Sequence, residues 1–213
     1  MDFAFETYAR WIPALETHFR AKYPKAAEDP DRVYRSVIRA KALREMLEYA
    51  RAIPVLPTPK GENAVIITGA GGSGVLLSDA CVDNGIKLMA MPPDLDAAFR
   101  KFIPPFGAAG NPVDITGGEP PKTYQNTIRL GLEDPRIHSL ILGYWHTIVT
   151  PPMVFAKLVV EVVDEMKAKG IHKPIVVSLA GDVQVEEAAE HLFDHGIPAY
   201  PYSTGCSRGT PLR

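Results

Sequence analysis

Apolar residues change their spacing along this chain at about residue 60. Before that point they recur at helical intervals. Phe3, Phe5, Tyr8, Trp11, Ile12, Leu15 and Phe19 line one helical face, with Pro13 placed to kink it. Residues 24–30 read as a break, and Asp31 is an N-cap for a second helix carrying Val33, Val37, Ile38, Leu43, Met46, Leu47 and Ala50. Pro54, Pro57 and Pro59 then form a stiff linker. Beyond Lys60, short runs rich in β-branched residues alternate with helical patterns. Strands are predicted at 65–67, 86–90, 140–142, 174–179 and 199–200. Helices are predicted from the glycine turn at 69–74 to a stop at Asn84-Gly85, and at 94–102, 121–132, 153–169 and 181–194. In the first of these, Val75, Leu76, Leu77, Ala80 and Cys81 make the apolar face, with Asp79 and Asp83 between them. The alternation predicts an α/β fold: a doubly wound parallel sheet in three αβα layers, preceded by a helical N-terminal extension. The expected divisions are 1–59 for the extension and linker, 60–204 for the α/β domain and 205–213 for a tail.

Ligands on such sheets bind beyond the carboxyl ends of the strands. The loops at 69–74, 116–118, 143–150 and 180–182 fall there, and several are rich in glycine or polar residues. The first follows a buried strand and opens a helix, so free backbone N–H groups and the helix dipole favour an anion. Gly69, Gly71, Gly72 and Gly74 match the dinucleotide fingerprint only in part, because no acidic residue clearly ends the next strand at the ribose-binding distance. No Gly-Lys-Ser/Thr follows, which excludes a Walker loop. Two readings of the turn stay open: an anion site, and a purely structural strand-to-helix turn.

The net charge of −2 and the apolar fraction of 46% describe an ordinary globular chain with no case for nucleic acid or a membrane surface. Arg32, Arg35, Arg39, Lys41 and Arg44 read as a solvated helix face. Two cysteines, Cys81 and Cys206, make no disulfide framework. No apolar run approaches about 18 residues, and the first residues are mixed and charged, so a cytoplasmic location is expected. Among the histidines, His146 alone stands near a strand's carboxyl end; it is either a catalytic or substrate-contacting group or a loop histidine with a satisfied hydrogen bond. His191 and His195 are four apart on a helix but have no evident third ligand, so no metal site is expected. Asp114 reads as a loop cap or an acid/base group. Ser73 lacks an adjacent base and a G-x-S-x-G setting, which argues against a hydrolase elbow. Tyr144 and Trp145 either line an acyl pocket or cover the sheet edge.

Several segments recur in a family order: VIITGAGGSGV, NPVDITGG, EDPRIHSLILG, PIVVSLAG, EEAAEHL and GIPAY. Together, over residues 60–202, they resemble the flavodoxin-like ligase domain of nucleoside-diphosphate-forming acyl-CoA synthetases. That family includes ADP-forming acetyl-CoA synthetase and, more distantly, the carboxy-terminal domain of the succinyl-CoA synthetase β subunit. The resemblance implies a relay. Acyl-CoA and phosphate give acyl phosphate and CoA, and the phosphoryl group passes to a histidine and then to a nucleoside diphosphate. It implies that Gly71, Gly72, Ser73 and Gly74 hold the phosphohistidine at a helix N-terminus. Asn111, Asp114, Thr116 and Gly117 would shape a second loop. His146 and Thr147 stand where the succinyl-CoA version has an acid-contacting Gly-Gly pair. The family's Ser-His-Thr-Gly-Ala motif is absent, as are a CoA-binding Rossmann domain and an ATP-grasp domain. The chain is therefore expected to be one part of a multidomain enzyme, inactive alone, with those domains or subunits as partners. Coenzyme A and ADP or ATP with Mg would belong to the whole enzyme, with no cofactor held by this chain. The alternative is a non-catalytic flavodoxin-like binding or assembly module, with the N-terminal helices mediating homo-oligomerisation. A third reading is an FMN or nucleotide binder on the same loops.

Overall fold

The computed structural model describes residues 43–203. The expected helix over 3–19, the break at 24–30, the Asp31 cap, Arg32, Arg35, Arg39, Lys41, Cys206 and the tail lie outside the described residues. The chain divides between Tyr49 and Ala50, and the α/β fold belongs to the second unit. Helix α1 (Leu43–Ala52) ends in a turn in which Val55 and Leu56 donate to the Ala52 carbonyl.

The sheet has five parallel strands: β1 (Ala64–Thr68), β2 (Val113–Asp114), β3 (Ser139–Trp145), β4 (Ile175–Gly181) and β5 (Ala199–Ser203). Their order is β2-β1-β3-β4-β5, the flavodoxin-like doubly wound arrangement. Between β1 and β2 lie α2 (Gly71–Asp83) and α3 (Pro93–Arg100); α4 (Pro121–Glu133), α5 (Pro152–Ala168) and α6 (Val183–Asp194) follow β2, β3 and β4. Proline stands at the first turn of α3, α4 and α5, where its missing N–H costs nothing. A Cβ added at Gly131 of α4 would meet Leu140 and Ile67, whereas one added at Gly143 of β3 would meet Thr68 and Leu77 of α2. Alternate strand residues therefore serve the two faces, and the main core lies under α4, α5 and α6, with Ile67, Leu142, Phe155, Val159 and Val177 buried. Among the described residues no helix is long and apolar enough to cross a membrane.

Two expectations need correction. The predicted strand at 86–90 is a single bridge, Leu88 to Ala64. Its place on the edge is taken by the Asn111 side chain, which accepts from Ile66 N–H at 3.0 Å and donates to the Ala64 and Met89 carbonyls at 2.8 and 3.0 Å. Pairing with β1 resumes only at Val113. The predicted apolar face of α2 is buried only in part: Cys81 is buried and Leu77 half-buried, while Val75 and Leu76 are 59 and 70% exposed, and Gly74 is buried instead. The helix seats through a glycine: a Cβ on Gly74 would stand 3.0 Å from Thr68 Cγ2 and 3.3 Å from the Pro112 ring.

Candidate functional site

At the end of β1 the buried Thr68 hydroxyl donates to the Ala70 carbonyl and accepts from the Ala70 N–H, both at 3.0 Å. This turns the chain sharply from strand to helix, and Gly69 N–H is taken up by the Gly143 carbonyl. Ala70 is the N-cap of α2 and offers no side-chain cap. The first intrahelical bond runs from Gly74 N–H to the Ala70 carbonyl. The amides of Gly71, Gly72 and Ser73 thus have no acceptor among the described residues. Among the described residues nothing packs within 4 Å of where a Gly72 Cβ would be, so the space beside Gly72 is open. Three free donors and the dipole of a 13-residue helix make a place for an anion.

The β2 loop closes on this turn. Asp114 Oδ1 accepts from Thr116 N–H at 2.8 Å, and its other oxygen lies 2.8 Å from the point a Gly71 Cβ would occupy. Thr116 has φ 64°, a left-handed conformation rare for a β-branched residue. Strain of this kind costs roughly 1–3 kcal/mol and persists where the surroundings dictate it. A Cβ added at Gly117 would stand 3.3 Å from the Gly69 carbonyl and 3.7 Å from Thr147 Cγ2. The three loops after β1, β2 and β3 therefore meet at Gly69, Gly117 and Thr147. Of the sequence candidates, Gly71, Gly72 and Ser73 have unpaired amides, Asp114 lies against Gly71 and holds Thr116, Gly117 lies between Gly69 and Thr147, and Gly74 and Asn111 hold the scaffold.

The β3 loop is braced. Tyr144 hydroxyl donates to the Thr150 carbonyl at 2.6 Å, Thr150 hydroxyl to the Glu119 carbonyl at 3.0 Å, and Thr150 N–H to Thr147 Oγ1 at 3.2 Å. Tyr144 neither lines a pocket nor covers the sheet edge; it is buried and stacks on Phe155 with centroids 4.4 Å apart. Trp145 and Ile148 are 54 and 97% exposed. His146 Nδ1 lies 3.3 Å from Asp182 Oδ1, and the same oxygen caps α6 through Gln184 N–H at 3.1 Å. Among the described residues Nε2 of this imidazole has no partner. On α6, His195 Nδ1 is 2.7 Å from the His191 carbonyl, and among the described residues no three His, Cys, Asp or Glu side chains gather as a metal site.

The family model of the Ligase-CoA domain matches residues 64–209. The chain belongs to the Ligase-CoA domain family. Its sequence is 40% identical over 165 residues to the α subunit of ADP-forming acetate–CoA ligase I from Pyrococcus furiosus, covering 78% of this chain and 35% of that one. It is 32% identical to ADP-forming 4-hydroxybutyrate–CoA ligase from Nitrosopumilus maritimus, covering 80% of this chain and 24% of that one. The chain thus spans about a third of the relatives' length or less. Its fold superposes, at TM-score 0.71 and 36% identity, on dinucleotide-forming acetyl-coenzyme A synthetase 1 from Ca. Korarchaeum cryptofilum in its apo form, covering 78% of this chain and 35% of that one. The same enzyme in complex with phosphate and ADP superposes at TM-score 0.71.

One residue of this Ligase-CoA domain at the loop junction has no marker in the sequence motifs. Tyr124, in the first turns of α4, is buried, and its hydroxyl fills the place where a Gly69 Cβ would stand. Burial, and then the neighbouring Tyr144 and Asp114, push this phenol well above the ordinary tyrosine range, so it keeps its proton. The available signal is positional: a polar aromatic soon after the β2 loop is carried back towards the strand ends.

Proposed function

We propose that this Ligase-CoA domain serves a nucleoside-diphosphate-forming acyl-CoA synthetase, holding the transferred phosphoryl group at the N-terminus of α2. The observation that carries this reading is the set of unpaired Gly71, Gly72 and Ser73 amides with open space beside Gly72. In that chemistry a phosphate oxygen attacks the thioester carbonyl, the C–S bond breaks, and CoA leaves with its thiol. The phosphoryl group then passes from the acyl phosphate to a histidine of a companion domain, and the acyl P–O bond breaks to release the free carboxylate. Oriented N–H donors stabilise the charge on the moving group without forming a bond to it. Asp114 and Thr116 fix the loop beside those donors, and His146, next to Asp182, is the candidate for contact with the acyl group. Coenzyme A and the nucleotide, with its Mg, belong to CoA-binding and ATP-grasp domains or subunits.

Two outcomes test this together. Incubated with acetyl-CoA, phosphate and ADP, the chain alone is expected to form no ATP above background. In phosphorus NMR, acetyl phosphate is expected to displace bound inorganic phosphate from it. ATP formation by the chain alone, or acetyl phosphate that fails to compete, contradicts the proposal.

A further inference from the structure

We infer that the Tyr124 hydroxyl is a ligand-binding donor of this site, giving a hydrogen bond to an oxygen of the phosphoryl group held at the α2 N-terminus. This rests on the anion-site reading above and adds a residue and a direction to it.

The ring is fixed in place. It packs edge-on against Phe155 with centroids 5.1 Å apart and tilts against Tyr144 at 6.3 Å, with 3% of the residue exposed. Its hydroxyl position is therefore set by the core rather than by solvent. That position lies against the Gly69 backbone, with the Thr116 carbonyl 3.5 Å from the same would-be Cβ. Any side chain at position 69 would collide with this phenol, so the turn requires glycine there.

The hydroxyl has no hydrogen-bond partner among the described residues. The buried Thr68, Thr123, Thr127, Tyr144 and Thr150 hydroxyls all have partners. No sealed polar side-chain atom among the described residues lacks a partner. The Tyr124 oxygen is therefore not sealed; it reaches accessible space at the junction of Gly69 and Thr116. A proton-bearing oxygen here complements the Gly71, Gly72 and Ser73 amides, which begin two residues along the chain. All are donors, so the group they share is an oxyanion. Asp114, whose second carboxylate oxygen lies 2.8 Å from where a Gly71 Cβ would stand, favours the phenol over the phenolate.

The test is inorganic phosphate titrated by calorimetry into wild type, Tyr124→Phe and Tyr144→Phe. Losing a hydrogen bond to a charged acceptor is expected to weaken phosphate about tenfold in Tyr124→Phe, with no loss of thermal stability. Tyr144→Phe removes the brace to Thr150 and is expected to lower stability while leaving phosphate affinity within about twofold, the range of a group that touches no ligand. In wild type labelled at tyrosine Cζ, the Tyr124 resonance is expected to move on phosphate addition. Equal affinity in wild type and Tyr124→Phe with a static Cζ resonance overturns the inference and leaves the anion site standing. Equal loss in both variants also overturns it. Absence of phosphate binding by wild type overturns the anion-site reading and this inference with it.

Discussion

Asn111→Ala is expected to lower stability by about 3 kcal/mol, from one orphaned buried N–H plus two weakened carbonyls. The asparagine side chain stands in for a missing length of edge strand. Its oxygen takes the Ile66 N–H, and its amide serves the Ala64 and Met89 carbonyls. Ile66 is wholly buried in β1, so water has no easy route to the freed donor. Ala64 O still accepts from Met89 N–H, which limits the loss there. For a domain of this size the change corresponds to a fall of about 10 °C in melting temperature. Urea unfolding followed by circular dichroism measures it. A loss below about 1 kcal/mol, the worth of a single ordinary hydrogen bond, would show that the edge closes without the side chain.

Gly72→Val is expected to remove phosphate binding and leave the fold intact. Side chains on a helix lean towards its N-terminus, so a valine here projects over the free amides. Among the described residues nothing opposes it, since none packs within 4 Å of the Cβ position. Replacing glycine also restricts the unfolded chain, which offsets small losses in the folded one. The expected result is phosphate affinity reduced by at least about a hundredfold, the scale of losing several charge-assisted hydrogen bonds, with an unchanged melting temperature. Gly74→Ala separates occlusion from scaffold damage. Its Cβ would press on Thr68 and Pro112, so it is expected to cost stability first. A Gly72→Val protein that binds phosphate like wild type would remove the helix end from the site.

The α/β order was legible because each buried strand is a short β-branched run bounded by turn residues. The Gly69–Gly74 turn, the prolines opening α3, α4 and α5, and Asp182 capping α6 are local signals, and local signals survive in a sequence. The features that stayed hidden depend on residues far apart. The segment 86–90 has strand composition, yet its neighbour on the edge is a side chain 22 residues beyond Met89. Helix α2 has an apolar face by spacing, but the close contact runs through Gly74, which carries no hydropathy signal. Tyr144 continues a strand into the core, and periodicity does not tell a core tyrosine from a pocket tyrosine. Tyr124 meets Gly69 only because α4 crosses behind the strand ends. The loops that gather at the site are recognisable as a set by their order along the chain.

The central claim is that the backbone at the start of α2 holds a phosphoryl anion. Titration of the nitrogen-15-labelled chain with inorganic phosphate tests it at the atoms concerned. The Gly71, Gly72 and Ser73 amide resonances are expected to shift together and saturate along one binding curve. Resonances that stay fixed while phosphate binds elsewhere, or that do not move at all, would contradict it.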